Sequence, residues 1–321
     1  MAELPPPQAR TIEAIYRAYE EDRKDSFRPH LGASQIGEDC ERALWLSFRW
    51  ASRAKHTGRM LRLFESGELE EKRLIANLRR IGVEVLDLDP STGRQWVVSA
   101  FGGHFSGSMD AVALGVLEAP RTWHLVEAKT FNVKSFKKLV EKGVELVKPM
   151  HIHQMQCYMH LAGLERALYI AVCKDTDELH VERIHYDRAL ATRILDKAQR
   201  IIFAPRPPEK ISLDPQSLLC RFCVHLDVCQ GRETLPERSC RTCLSSTPLP
   251  EGGWRCERWN EMLDERAQKL GCPHHLYVPD LVPGRQIDAG EAWVTYVMDD
   301  GTAWRDGVVD VDVSLSELPF R

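Results

Sequence analysis

Apolar positions recur at helical spacing at Ile12, Ile15, Tyr16 and Tyr19, with charges between them, so the pattern predicts an amphipathic helix over 9–22. A second helix is expected after Ser34, whose hydroxyl can cap it, and it carries Cys40, Arg42, Leu44, Trp45 and Phe48. Over 61–81, Leu61, Phe64, Leu69, Leu74, Ile75 and Leu78 fit a helix packed on a sheet. Strand-like segments at 83–88 and 95–101 lead into two apolar runs, 105–114 and 123–129. Gly115, Glu118 and Pro120 lie between these runs, which is the layout of an antiparallel hairpin. Helices over 132–149, 151–161 and 187–203 and strands over 167–174 and 181–186 follow. Beyond Pro283 the pattern turns to strands at 293–298 and 302–304 around Asp299-Asp300-Gly301, and then at 308–313.

A chain of 321 residues, 43% of them apolar, has room for one large domain with an appendage or for two domains. No apolar run approaches a membrane span and the N-terminus lacks a secretory layout, so a cytoplasmic protein is expected, with no membrane partner. The net charge of -4 does not advertise a polyanionic ligand, so the placement of basic residues matters more than their sum. Arg49, Arg53, Lys55, Arg59 and Arg62 form a run with no acidic residue between Leu44 and Phe64. Such a run suits a nucleic-acid backbone or a solvated helix face. Lys134, Lys137, Lys138, Lys142 and Lys148 crowd the helix after the hairpin and carry the same two readings.

The hairpin holds the candidate chemistry. Asp110 and Glu127 sit at comparable distances from the turn, and Glu127 and Lys129 share a strand face. With the carbonyl of Ala128, the two carboxylates make an oxygen half-shell suited to Mg²⁺ or Mn²⁺, and Lys129 can orient or polarise an attacking water. An ordinary strand ion pair is the plain alternative, since a second Glu-x-Lys occurs at Glu70 and Lys72. Glu68 and Glu71 share a helix face and offer a further carboxylate. Gln154 and Tyr158, four residues apart, can bond a phosphate or hold the lysine, whereas His151, His153 and His160 lack convergent partners.

Ten cysteines in a reducing compartment point to metal rather than disulfides, although Cys157 and Cys173 lie among core-like residues. Cys220, Cys223 and Cys229 are three thiols that lack a fourth, for which Cys40 is the candidate. A competing pairing joins Cys220 and Cys223 with Cys240 and Cys243 as a zinc site. Downstream, Cys240, Cys243 and Cys256, with Cys272 as fourth ligand and His275 as its rival, are expected to hold a structural Zn²⁺.

Taken in order, Ser34 with Cys40, Arg42 and Trp45, Gly67 with its carboxylate-rich helix, Gly107-Ser108-Met109-Asp110, Glu127-Ala128-Lys129, Gln154-x-x-x-Tyr158 and the cysteine cluster show a resemblance. Over about residues 31–230 the chain resembles the PD-(D/E)XK nucleases of the RecB type, close to the CRISPR-associated and phage-encoded RecB-like exonucleases that carry an iron-sulfur cluster. The resemblance implies an α/β fold with a restriction-endonuclease-like core, a central mixed sheet flanked by helices. An iron-sulfur region and a small C-terminal zinc-binding β-rich module would accompany it. The expected division is an N-terminal helix (1–30), a nuclease domain with its cluster (31–235) and a zinc-binding module (236–321).

Within that likeness Asp110, Glu127, Ala128 and Glu71 hold Mg²⁺ or Mn²⁺, Lys129 serves the nucleophilic water, and Gln154 and Tyr158 support the site and the DNA. Cys40, Cys220, Cys223 and Cys229 hold a 4Fe-4S cluster. Arg53, Lys55, Arg59, Lys134, Lys137 and Lys138 are the candidate DNA contacts. Met109 departs from the family's proline, and Glu68 or Glu71 stands on the helix where many relatives have histidine, with Glu71 preferred from spacing. The function so implied is a metal-dependent DNA exonuclease acting on single strands or duplex ends. Its setting is phage recombination, DNA degradation or CRISPR adaptation in a bacterial or phage-infected cell, beside recombination or adaptation proteins. A structure-specific endonuclease and a non-catalytic DNA-binding scaffold are the alternatives.

Overall fold

The strand His124–Phe131 lies at the centre of a mixed sheet and is buried along most of its length. The computed structural model describes residues 10–22, 27–231 and 235–307. The sheet contains β1 (Glu84–Leu86), β2 (Ala111–Leu114), β3 (His124–Phe131), β4 (Arg166–Cys173) and β5 (Leu179–His185), in the spatial order β5-β4-β3-β2-β1. Only β3 and β4 are parallel. A parallel pair needs a crossover, and two helices supply it.

The helices are α1 (Arg10–Glu21), α2 (Glu41–Phe48), α3 (Gly58–Arg80), α4 (Val133–Val147), α5 (Pro149–Ala162) and α6 (Arg188–Phe203). One sheet face packs Val85, Ala111, Ala113, Val126, Leu168 and Ile170 against Leu74, Ile75 and Leu78 of α3. The other face joins Leu125, Phe131, Tyr169 and Ala171 to Trp45 of α2, Tyr158 of α5 and Ile194 of α6. Period-2 alternation on β3 and β4 therefore feeds two cores at once, the arrangement of an α/β protein. Trp254, Cys256, Leu263, Val278 and Leu281 belong to the same large core as α2, and the ring of Trp254 sits 5.3 Å from that of Phe48. The strands Gly284–Ala289, Trp293–Met298 and Ala303–Gly307 form a separate small sheet over Tyr277 and Tyr296. The strand expected at 308–313 lies outside the described residues.

Three expectations are corrected. The helix expected after Ser34 starts at Glu41, because 32–38 makes successive tight turns that plug Ile36 into the core; its N-cap is Cys40, whose thiol accepts from the Ala43 amide at 3.4 Å. The run 105–114 is two strands. Phe105–Ser108 pairs with Val97–Ala100 and Leu31–Gly32 in a second sheet, and only β2 forms the hairpin with β3. Arg49 is not a backbone-tracking cation, since it is 3% exposed and bonded to the carbonyls of Arg241 and Ser246. Among the described residues no helix is long and apolar enough to cross a membrane.

Candidate active site

The break between the two sheets positions Asp110. Met109 is buried and its amide donates to the Trp96 carbonyl at 3.0 Å, so the chain changes sheets here and Asp110 falls outside both ladders. Ala111 pairs with Val126 in the β2–β3 register, which sets Asp110 beside Glu127. Its carboxylate accepts from the Ala128 amide at 2.8 Å. Lys129 donates to Glu127 in a close ion pair and to the Ala128 carbonyl at 3.1 Å. Glu127 itself is fully buried, and its Oε2 has no protein partner.

Glu71 approaches from α3 on the neighbouring side. Burial first, then the charge of Asp110, raises its carboxyl to about 7, with Lys129 opposing. Burial likewise lifts Glu127 to about 7, against the pull of Lys129. Burial pulls Lys129 down, but Glu127, Asp110 and Glu71 outweigh it and hold the ammonium above its ordinary value. Three carboxylates thus share one cation, which stays protonated at neutral pH. Glu68, one turn earlier and exposed, lines the cleft beside Glu71 without sharing this field as closely.

The cluster opens onto a solvent-open cleft lined by Arg28, Phe64, Glu68, Glu71, Ala128, Lys129, Asn132, Lys148 and His151. Gln154 and Tyr158 lie behind it, buried on α5, with the Gln154 amide donating to the Tyr158 hydroxyl at 3.3 Å. Burial, then Glu127, pushes the Tyr158 phenol well above its ordinary value, so it remains a neutral donor. Gly107 makes room for this ring: a Cβ there would stand 2.6 Å from the Tyr158 hydroxyl. Gly107→Val is expected to cost about 1–3 kcal/mol in urea unfolding by overpacking, and an unchanged midpoint would show that the ring moves aside freely.

Sequence reasoning did not single out Arg28, Asn132 or His151 as cleft residues, and it named Lys148 only as one of several lysines. Burial, Lys129 and Lys148 lower His151 to about 3, and its Nδ1 bonds the Tyr169 hydroxyl at 2.9 Å, so it presents a neutral imidazole. The expected DNA contacts Arg53, Lys55, Arg59, Lys134, Lys137 and Lys138 are exposed but none of them lines the cleft. Arg53 pairs with Glu237 at 3.3 Å and covers the Phe27 ring.

All ten cysteines are free thiols. Cys40, Cys220, Cys223 and Cys229 line one small pocket between α2 and the 220–229 loop. Burial raises Cys223, and the neighbouring charges of Cys40 and Cys229 add to it. Cys240, Cys243, Cys256 and Cys272 are a second set: burial raises Cys240 to about 12, with Cys243, Cys272 and Cys256 reinforcing it. As the side chains stand, no three or more His, Cys, Asp or Glu among the described residues are gathered into metal-holding geometry. The carboxylates are instead occupied by Lys129 and the Ala128 amide.

The chain matches no protein-family model and no curated protein. Among solved structures it is similar to LHK-Exo in complex with dAMP, with 18% identity over 59% of this chain and 90% of that one and a TM-score of 0.41. A second structure of this alkaline exonuclease, from Laribacter hongkongensis, gives the same identity and coverage, 18%, 59% and 90%, with a TM-score of 0.37. A phage-related exonuclease from Haemophilus somnus 129PT gives 11% identity over 54% of this chain and 91% of that one, with a TM-score of 0.35. Likeness at this level leaves the assignment resting on the geometry of the chain itself.

Proposed function

We propose that the chain is a divalent-cation-dependent deoxyribonuclease that removes nucleotides from DNA ends or single strands. One observation carries the reading: a fully buried Glu127 oxygen without a partner stands in a cluster with Asp110, Glu71 and Lys129, at the foot of a cleft that also holds Arg28 and Lys148. Asp110, Glu127, Glu71 and the Ala128 carbonyl are hard oxygen donors, and they suit Mg²⁺ or Mn²⁺. Such an ion supplies positive charge to the phosphate and the departing oxygen.

The protein's own groups do the rest. Arg28 and Lys148 attract the phosphodiester, and Lys129, as an ammonium, donates to the attacking water and holds it in line. The water oxygen bonds to phosphorus and gives up a proton to bulk solvent, the opposite P–O bond breaks, and the leaving oxygen takes up a proton from solvent. Tyr158 and Gln154 keep the floor of the site rigid.

End-labelled linear DNA, single-stranded and duplex, with Mg²⁺ or Mn²⁺ tests this. Progressive loss of linear DNA with circles spared is expected; nicked circles indicate an endonuclease, and no cleavage of any form sinks the reading. The pH profile follows from the raised carboxyls. Glu71 and Glu127 must lose protons to hold a cation, so activity is expected to rise through about pH 7, with more Mg²⁺ needed below it. A flat profile from pH 6 to 8 at low Mg²⁺ contradicts the site.

The reading extends to a 4Fe-4S cluster on Cys40, Cys220, Cys223 and Cys229, supported by their common pocket and all-thiol donor set. It also extends to a structural zinc on Cys240, Cys243, Cys256 and Cys272, supported by their mutual proximity. The proposed setting is phage recombination, DNA degradation or CRISPR adaptation, with proteins of those processes as partners, in the cytoplasm. The N-terminal helix, nuclease and C-terminal zinc-binding segments remain the proposed division of the chain.

A further inference from the structure

The first turn of α5 carries a histidine that the mechanism above leaves unused. His151 is half-buried, lines the cleft with Lys129, Asn132 and Lys148, and packs its ring against Phe131 and Tyr169 at centroid distances of 6.5 and 5.8 Å. Its Nδ1 lies 2.9 Å from the Tyr169 hydroxyl. A contact of this kind can run either way, because a neutral imidazole has one donor nitrogen and one acceptor.

Burial of the tyrosine decides the direction. Tyr169 is 0% exposed, so its O–H must find an acceptor inside the protein. Among the described residues, Nδ1 of His151 is the hydrogen-bond partner of this hydroxyl. Tyr169 stands opposite Glu127 in the parallel β3–β4 register, yet the free Oε2 of Glu127 takes no hydrogen bond from it. Burial, then Glu127, holds the phenol above its ordinary value, so it keeps its proton. Tyr169 therefore donates and Nδ1 accepts, which leaves the ring proton of the neutral imidazole on Nε2. That nitrogen bonds no described residue and is not sealed from solvent, so it opens to the cleft.

We infer that the Nε2–H of His151, fixed as a donor by the Tyr169 hydroxyl, bonds a non-bridging phosphate oxygen of the DNA backbone as an uncharged contact beside Lys148. DNA as the ligand rests on the nuclease reading, whereas the tautomer does not. A neutral donor adds a directed hydrogen bond to an anionic oxygen. It displaces no counterion, whereas a lysine at a phosphate does. Because Tyr169 stands opposite Glu127, the same pair of strands positions this donor and the carboxylates.

Affinity for duplex DNA in Ca²⁺, measured over a series of salt concentrations, tests the contact. His151→Ala is expected to weaken binding about tenfold, the scale of one hydrogen bond to a charged group, with the slope of log affinity against log salt unchanged. Lys148→Met should lower that slope by about one. Two amides separate the two ends of the ring. His151→Gln, whose amide nitrogen reaches the place of Nε2, should restore affinity; His151→Asn, which reaches only the place of Nδ1 and so still meets Tyr169, should not. Proton–nitrogen correlation spectra of protein with isotope-labelled histidine should show His151, identified by its loss in His151→Gln, in the Nε2–H form at neutral pH. Its Nε2–H signal should move when DNA binds, and Tyr169→Phe should give a mixture of tautomers. An Nδ1–H form or a cation in wild type, or a pure Nε2–H form in Tyr169→Phe, overturns the tautomer. Wild-type affinity in His151→Ala, a shallower salt slope in that variant, or rescue by asparagine as good as by glutamine overturns the phosphate contact. Wild type that binds no DNA overturns the nuclease reading and the ligand together, which sets that failure apart from the others.

Discussion

Lys129→Ala is expected to lower DNA cleavage by at least about a hundredfold, the scale of removing a positioned hydrogen-bond donor. Among the described residues Lys129 is the ammonium in direct contact with the carboxylate cluster, bonded to Glu127 and to the Ala128 carbonyl, and it faces the cleft. Without it, attacking water has no fixed donor, and the carboxylates repel a phosphate unscreened by that charge. The variant should still fold near neutral pH, because Glu127, with its carboxyl already at about 7, can take up a proton when its partner is gone. Its unfolding should therefore be compared with wild type at pH 6 and pH 8. A raised carboxyl contributes stability that falls as pH rises from its unfolded value through about 7, so the variant should lose more ground at pH 8. DNA binding in Ca²⁺ should persist, which separates a catalytic defect from a binding one. Equal degradation by wild type and variant would remove Lys129 from the mechanism, and the absence of cleavage by either, with binding intact, would favour a scaffold.

Cys223→Ala is expected to abolish the visible charge-transfer absorbance of anaerobically purified protein, and Cys40→Ala to do the same although it lies some 180 residues away in sequence. The structure brings the N-cap of α2 to the loop that carries Cys220, Cys223 and Cys229, and around their pocket lie Leu46, Leu219 and Leu226. His225, buried there, bonds the Ser47 hydroxyl at 2.8 Å and ties the loop to α2 a second time. A cluster at this point would cross-link the two ends of the main body, so its loss should also lower the thermal midpoint. A colourless wild type containing only zinc would refute it. The rival pairing of Cys220 and Cys223 with Cys240 and Cys243 would leave Cys40 and Cys229, which line the same pocket as Cys220 and Cys223, without a role.

The periodic elements were legible. Helix α3 was expected from Leu61, Phe64, Leu69, Leu74, Ile75 and Leu78; the last three meet the sheet, whereas Phe64 and Leu69 are exposed. Glu127 and Lys129 were legible as neighbours because strand alternation puts i and i+2 on one face, whereas Asp110, outside both ladders, is brought to them by the β2–β3 register. The split of 105–114 between two sheets was not, because apolar runs look alike whether the chain continues or bends; the bend is set by pairing with Val97–Ala100. Neither was the fate of the basic residues. Lys148 and Arg28 reach the cleft while Lys134, Lys137 and Lys138 do not, and no local pattern distinguishes one exposed lysine from another.

By itself the sequence determined the alternation of β3, the amphipathic faces of the helices and the metal-ligand spacing of the cysteines, all of which depend on neighbours a few residues apart. Tertiary structure decided the rest. It placed Glu71 beside Asp110, Cys40 beside Cys220, and Arg49 and Arg241 in the aromatic core rather than in solvent. Those pairings depend on how strands and helices from distant parts of the chain bury their apolar faces together, and that packing is what turns scattered acids, thiols and guanidinium groups into sites.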